Sequence, residues 1–313
     1  MYLKRLTVAA FVASLATFTA AQWSGAPIFS SVLTGDYVTA GANTRTAAMG
    51  GGPVSLAMAT PVGSTYVASF LVWNFLGGVA GYDPLEASIT VGGTPVVGAG
   101  FAMGTELCWG MTSSNSYLAD VTALVAADGV YTIGGVSDKL NSTGGTSLAE
   151  GVSLLSVYSN PSVGLRSVDV YFGNVGEAGG VAAGAMGFSS TYLGGDAHFF
   201  LNGMDGQDFG DDFFINGFLA SGFPGTFTPG DAWSGMLGVG DIGGGGTGYD
   251  HAEGDASVFM TPGDTSLLFA TDGSLGDCIG HSIGAISFAA VPEPASMLAL
   301  GLGIVPLLRR RKK

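Results

Sequence analysis

The sequence predicts an all-β fold, an antiparallel β-sandwich or jelly roll, and three observations predict it. There are 54 glycines in 313 residues with no strict Gly-X-Y period, hydrophobic residues make up 47% against 11% charged, and the apolar runs are short and rich in β-branched and aromatic residues. So much glycine is poorly tolerated in helices. Without a period it excludes collagen and points to many turns between short strands. The apolar content suffices for a sizeable core, in one large domain or two smaller ones, and argues against disorder.

Along the chain, the start MYLKRLTVAAFVASLATFTAAQWSG carries Lys4 and Arg5, an apolar run from Leu6 to about Phe18, and the small residues Thr19 and Ala21 before Gln22. That is the layout of a secretory signal helix cut between Ala21 and Gln22, with an apolar run too short to span a membrane comfortably. Residues 1–21 are therefore expected to be a signal peptide, and 22–290 an exported β-rich domain.

In that domain the runs TYVASFLVWNFLG, ASITV, GVYTIGG, SLLSVYS, SVDVYFG, AHFFLNG, DFFINGF, ASVFM, SLLFATDG and AISFAAV recur every 10 to 20 residues between Gly, Asn, Asp and Pro. These are strands by composition. Their cadence fits a sandwich or jelly roll, as two sheets or two small β domains. In SYLADVTALVAADG, Asp120 is placed to cap a turn or two of helix ending before Gly129, with Val121, Leu124 and Val125 on one face. The small-residue stretch GEAGGVAAGAMG reads as a linker or loop and sets a candidate internal boundary near 176–187. No repeat of fixed period is visible, which weighs against solenoids and propellers.

Charge narrows the function. Residues 22–290 hold three bases (Arg45, Lys139, Arg166) against 23 of the 24 acids, a net of −20. Phosphate neutralisation needs clustered Lys or Arg, so nucleic acid is excluded as a partner. Export makes Cys108 and Cys278 candidates for a disulfide, with two separate buried thiols as the alternative.

The last segment, 291–313, reads VPEPASMLALGLGIVPLLRRRKK. Its uncharged run from Ala295 to Leu308 would reach roughly 21 Å as a helix, against the ~30 Å of a hydrocarbon core. Such a short hydrophobic helix suits transient membrane engagement, and the five terminal bases would stay in the cytoplasm. Val291-Pro292-Glu293-Pro294-Ala295-Ser296, the apolar run and the basic cluster together resemble a PEP-CTERM sorting signal, with Pro292, Glu293 and Pro294 matching the motif residue by residue. The resemblance implies recognition and cleavage by an exosortase after passage through the secretion machinery. It also implies a place at the surface or in the extracellular matrix of a bacterium that forms biofilm or polysaccharide. The body, from QWSGAPIFSSVLTGDYVTAG through LVWNFLG to GTGYDHAEGDASVFMTPGDTSLLFATDG, is similar in order and texture to an uncharacterised bacterial cell-surface domain often found ahead of adhesin-type repeats. This second resemblance implies a β-rich extracellular module without known catalysis.

Motifs for chemistry are weighed against plainer uses. Gly280-His281-Ser282-Ile283-Gly284 fits the G-x-S-x-G nucleophile elbow, yet no His or Asp follows Ser282 and no helix follows Gly284. Gly238 to Gly243 fits G-x-G-x-x-G but runs on into Gly244–Gly246, which cannot open a helix, so a dinucleotide site is rejected. His198, His251 and His281 with Cys278 match no standard zinc spacing. Acid clusters are the better site: Asp205, Asp208, Asp211 and Asp212, then Asp250, Glu253 and Asp255, all flanked by glycine as a loop wrapping calcium requires. The plain alternative is solvated acidic turns. Of the four tryptophans, Trp73 and Trp109 sit in strand-like runs and are expected in the core, while Trp233 in GDAWSG is expected to be exposed.

The expectation is a non-enzymatic exported surface or matrix protein, structural or adhesive. Its alternatives are a carbohydrate-binding, calcium-assisted module acting on extracellular polysaccharide, and a secreted hydrolase.

Overall fold

The computed structural model describes residues 23, 25–45, 51–105, 110–176, 181–207, 211–220, 233, 247–273 and 278–290. The signal segment, the Ala21–Gln22 junction, the C-terminal segment with Pro292–Pro294, the glycine motif at 238–243, Cys108, Trp109 and Asp208 lie outside these. Among the described residues every regular element is a β-strand and every pairing is antiparallel.

The first half of the chain forms β1 (Phe29–Asn43), β2 (Val54–Met58), β3 (Thr65–Gly77), β4 (Ser88–Val91), β5 (Thr94–Val97), β6 (Gly100–Gly104), β7 (Ser113–Asp120), β8 (Gly129–Gly134), β9 (Lys139–Leu140) and β10 (Thr146–Ser159). The second forms β11 (Leu165–Gly176), β12 (Val181–Gly187), β13 (Ala197–Gln207), β14 (Asp212–Ile215), β15 (Phe218–Leu219), β16 (Thr247–Asp255), β17 (Ser266–Asp272) and β18 (Gly280–Ala289). The large sheet runs β16-β13-β18-β11-β1-β10-β3-β7-β6, with β9 attached to β10, and two smaller sheets run β2-β8-β4-β5 and β12-β17-β14-β15.

Setting β6 and β9 aside, the two halves have one strand order. β1-β10-β3-β7 packed on β2-β8-β4-β5 is repeated as β11-β18-β13-β16 packed on β12-β17-β14-β15. Each half is an eight-stranded sandwich with the interleaved order of a jelly roll. The two rolls are joined at residues 160–164 and through β1, whose first half pairs with β11 and whose second half pairs with β10.

Three cores follow. Leu71, Trp73 and Phe75 of β3 point into the first roll with Leu56, Ile89 and Ile133. Phe199, Leu201, Phe213, Phe269 and Phe288 fill the second roll. Phe70 and Val72 of β3 face the other way, meeting Val168, Phe200 and Ile283 between the rolls. A strand buried on both faces must be apolar at nearly every position, which is why TYVASFLVWNFLG reads as an unbroken run rather than an alternation. The outermost strands alternate instead, as β2 shows.

Three expectations change. Ser113–Asp120 is strand β7, and the helix reduces to one turn in which Val125 N donates to Val121 O at 2.9 Å. Asp120 does cap it, its Oδ1 accepting from Thr122 N at 2.9 Å. Val121 and Val125 are buried, while Leu124 is exposed. Residues 181–187 of the small-residue stretch are strand β12, paired with β17, rather than linker. Trp233 is fully buried, not exposed: its ring packs edge-on against Phe213 with centroids 5.3 Å apart, and its Nε1–H donates to Thr271 Oγ1 at 3.0 Å.

Glycine also does more than punctuate turns. Asn216-Gly217, both at positive φ, makes the two-residue turn between β14 and β15. Inside strands, a Cβ on Gly151 would sit 2.1 Å from the Tyr249 ring, and one on Gly41 would sit 2.5 Å from the His251 ring. These glycines are seats for rings arriving from the other roll.

Candidate functional site: a polar seam between the rolls

Beyond the inter-roll core the apolar contacts give way to a line of hydrogen-bonded side chains. Asn74 of β3 and Asn202 of β13 occupy equivalent positions, Asn74 pairing with Ser116 of β7 and Asn202 with His251 of β16. From the second roll, Asn202 Nδ2 donates to Tyr249 OH and to Ser282 Oγ, both at 3.0 Å. Ser282 Oγ donates to Asn74 Oδ1 at 3.0 Å, and Asn74 Nδ2 to Ser116 Oγ at 2.6 Å. Asn174 Nδ2 donates to Ser116 Oγ at 2.7 Å and Ser114 Oγ at 3.1 Å. At the other end Ser153 Oγ lies 2.7 Å from Tyr249 OH and 2.5 Å from His251 Nε2. Seven strands contribute, and each of these side chains is at most 3% exposed.

Asn202 has a further task. The register of β13 against β18 shifts between Leu201 and Met204, and the freed Ser282 N and Ile283 N both donate to Asn202 Oδ1 at 2.8 Å. One carboxamide thus satisfies a buried β-bulge that would otherwise leave two donors without partners.

His251 and His281 are held neutral. His281 Nδ1–H donates to the Asn202 carbonyl at 2.6 Å, and its Nε2 accepts from Thr271 Oγ1 at 2.9 Å. Burial lowers its pKa to about 4, against the opposing effect of the Asn202 carbonyl, and burial lowers that of His251 to about 3. Both nitrogens of His281 are occupied, so it is not presented as a metal ligand.

Three ionic groups lie outside the seam. Near the β1–β11 pairing, Arg166 Nε lies 3.1 Å from Asp36 Oδ2, its Nη1 2.5 Å from Asp196 Oδ2, and His198 Nε2 3.1 Å from Asp36 Oδ1. Burial raises the Asp36 pKa, but the His198 bond and the His198 and Arg166 charges outweigh it and hold the carboxyl below its usual value. Glu253 accepts from Thr39 Oγ1, and burial pushes its pKa up. In the first roll, buried Glu86 accepts from Tyr117 OH at 2.7 Å, Asn115 Nδ2 at 2.9 Å and Ser147 Oγ at 2.5 Å. Lys139 Nζ donates to the carbonyls of Leu85 at 2.7 Å and Gly135 at 2.9 Å, and burial lowers its pKa to about 8. Arg45 pairs with Glu150 in the interior. All three bases of the body are thereby engaged internally, leaving acids to dominate the surface.

The sequence-derived site residues fall on several elements of this fold. Ser282 sits inside β18 between two carboxamides, not on a strand-to-helix elbow. Asp211 is buried and accepts from Trp233 N at 3.4 Å, Asp212 lies in β14, and Asp250 is buried in β16. Asp255 closes a local turn, accepting from Ser257 N at 2.8 Å. Asp205 lies in β13. Among the described residues no three His, Cys, Asp or Glu side chains converge to hold a metal ion. Cys278 is buried and not a free thiol. No helix among the described residues is long and apolar enough to cross a membrane. The seam itself was missed, although a signal existed: Asn interrupts apolar strands in LVWNFLG, FFLNGM and YFGNVG, where only a satisfied partner makes it tolerable.

Comparison with known proteins adds one specific match. No curated protein matches the chain. Among solved structures it is similar to the family 86 glycoside hydrolase BuGH86 in complex with neoagarooctaose (12% identity over 82% of this chain and 33% of that one, TM-score 0.24). It is also similar to a β-porphyranase of glycoside hydrolase family 86 from the human gut bacterium Bacteroides plebeius (9%, 82% and 36%, 0.26). A third is the major capsid protein P2 of bacteriophage PM2 (10%, 80% and 97%, 0.23). The chain spans about a third of the length of the two hydrolases, and scores this low carry neither fold nor function across. Residues 290–312, by contrast, match the model of the PEP-CTERM protein-sorting motif. The chain therefore carries a PEP-CTERM sorting motif, which implies an exported, cell-surface-directed protein processed by an exosortase at the membrane.

Proposed function

We propose that this is a non-enzymatic structural or adhesive component of the cell surface or extracellular matrix, delivered and processed through its C-terminal motif. The observation that supports this reading is the use made of the reactive side chains. Ser282, His251 and His281, the groups that would serve acyl transfer or metal binding, are spent on strand-to-strand hydrogen bonds in a closed interior. A rigid double roll fused to a sorting signal fits a protein whose work is to be somewhere and hold.

Intact-mass analysis of the protein recovered from its native host, with terminal peptides identified, tests delivery. The expected mature chain starts at Gln22 and ends near Pro294, and replacing Pro292, Glu293 and Pro294 with alanine should leave Arg309–Lys313 attached. A native chain that keeps those bases sinks the sorting reading. Loss of surface attachment or matrix cohesion in cells lacking the protein, restored by the native chain, is expected of the structural role. Unchanged cohesion would overturn that role.

A further inference from the structure

The chain leaves the body without a linker. Ala289 N donates to Asp196 O and Ala290 N to Leu165 O, both at 2.9 Å, so residue 290 is still hydrogen-bonded to the double roll. The PEP-CTERM match begins at that same residue. Only residues 291–294 separate it from the uncharged run 295–308. Five residues of fully extended chain reach about 18 Å at most. While the run engages a bilayer, the end of the body around residue 290 is therefore held within that distance of the apolar layer.

The same end gathers strand ends from both rolls. Leu165 opens β11 opposite Thr34, Ser159 closes β10 opposite Thr65, and Ala289 closes β18 opposite Arg166. The loop between β2 and β3 is fixed here by Asn160, whose N donates to Thr34 O at 2.7 Å. Its Nδ2 donates to Pro61 O at 3.3 Å, Val62 O at 3.1 Å and Ser64 Oγ at 3.0 Å. A loop held this firmly carries Val62 98% exposed at its tip. Leu165 is 40% exposed, and Leu193, in the loop whose Gly195 lies against Ala289, is 49% exposed. Residues 59–65 and 159–165 carry no charge. Acids at the rim are engaged, Asp196 by Arg166, Asp128 by Thr60 and Tyr66, Asp255 by Ser257 and Asp264 by Thr261.

We propose that this end of the double roll is a lipid-facing surface, and that its occupant is the bilayer engaged by the run 295–308. A body with three bases against 23 acids is repelled by anionic headgroups, so close approach is favoured only where the strand ends offer hydroxyl and apolar groups. Apolar side chains raised on such an end are the kind of exposed patch that marks a membrane contact. Val62, Leu165 and Leu193 alone hold the body weakly. Tethered by the run, the same contact becomes intramolecular and gains a high effective concentration. It orients the body so that Pro292, Glu293 and Pro294 lie at the membrane surface, where an exosortase acts. The inference deepens the delivery reading and rests on it.

The uncut full chain in phosphatidylcholine vesicles tests it, with a fluorophore on Val62→Cys, Leu193→Cys or Leu140→Cys and a nitroxide-labelled lipid as quencher. Leu140 is 64% exposed in β9, which pairs with the opening residues of β10, at the far end of that strand from Ser159. Quenching at 62 and 193 at least threefold above that at 140 is expected. Val62→Asp should lower the quenching at 193 at least twofold. Thermal melts identify any variant that fails to fold, and a probe on Leu165→Cys then takes its place. Equal quenching at 62 and 140 in vesicles that carry the protein overturns the proposal, and so does a chain that fails to float with the vesicles. Quenching that appears only once an exosortase is added assigns the surface to that enzyme and overturns the proposal as well. None of these outcomes alters the terminal peptides of the protein from its native host, so failure here is distinct from failure of the sorting reading.

Discussion

In the first roll Trp73 stacks on Tyr117 at 5.9 Å and donates its Nε1–H to the Glu86 carbonyl, beside the buried carboxylates of Asp83 and Glu86. In the second, the corresponding region is aromatic, with His281 ringed by Trp233 at 5.0 Å and Phe269 at 5.5 Å. One strand order thus accommodates two different fillings. The ladders satisfy the backbone in both, so each interior needs only to satisfy its own side chains. What the rolls share faces the partner: Asn74 and Asn202 on one pair of equivalent strands, Ser153 and Ser282 on another. The interface constrains the sequence more tightly than either interior does.

The strongest way to break this pairing of unlike rolls is to cut what ties them. Cys278 lies on the connection from β17 to β18, and Cys108 falls in sequence between β6 and β7, so a bridge between them would staple roll to roll. Closing so long a loop stabilises by about 5 kcal/mol in the chain-entropy model. The intact mass should rise by about 2 Da on reduction, and the melting temperature should fall with it. An unchanged mass would show that the rolls are held by the seam and β1 without a covalent tie.

Acid should separate the rolls by stability. His251 and His281 both belong to the second, and their folded pKa values of about 3 and about 4 lie below the ~6.5 of the unfolded chain. Their neutral forms contribute stability that is complete above pH ~6.5 and is lost as pH falls through that value toward the folded ones. At pH 5 the loss is about 2 kcal/mol for each histidine. The first roll has Ser116 where the second has His251, and no histidine of its own. Hydrogen exchange at pH 5 should therefore open β13, β16 and β18 before β3, β7 and β8. Equal protection in both would show that the seam couples them into one unit.

The two carboxamides should not cost the same. Asn202→Ala strands the amides of Ser282 and Ile283 and removes one donor to Ser282 Oγ, and should destabilise by about 3 kcal/mol. Asn74→Ala removes side-chain bonds only, for about 1–2 kcal/mol. Denaturant midpoints at constant m separate the outcomes. Equal losses would mean that the bulge has another means of satisfying its donors.

The all-β class, the antiparallel pairing and most strand positions were legible because β-branched and aromatic runs between glycines leave little else. The repetition of the roll was not, because equivalent strands share pleat direction and not residue identity: TYVASFLVWNFLG and AHFFLNGMDGQ agree mainly at one asparagine. The seam was illegible for a related reason. Asn, Ser and Gly are turn residues in isolation, and only strands arriving from 42 to 208 residues away give them partners. The same holds for Ser282, whose G-x-S-x-G context is a bulged strand lined with glycine.

The last effect is the most local. A methyl at Gly151 would lie 2.1 Å from Tyr249 Cγ, so Gly151→Ala must push a ring of the second roll out of a pocket in the first, at a cost of about 1–3 kcal/mol. Gly52→Ala, with nothing within 4 Å, should be neutral or stabilising by a few tenths of a kcal/mol. The displaced ring also carries the hydroxyl that bonds Ser153 and Asn202, so the damage should reach His251. Tyr249→Phe in the native background keeps the ring in its seat and removes only that hydroxyl. If it costs little beside Gly151→Ala, glycine at 151 is there for space. If it costs as much, the seat exists to aim the tyrosine hydroxyl, and the hydrogen bonds across the seam outweigh the packing.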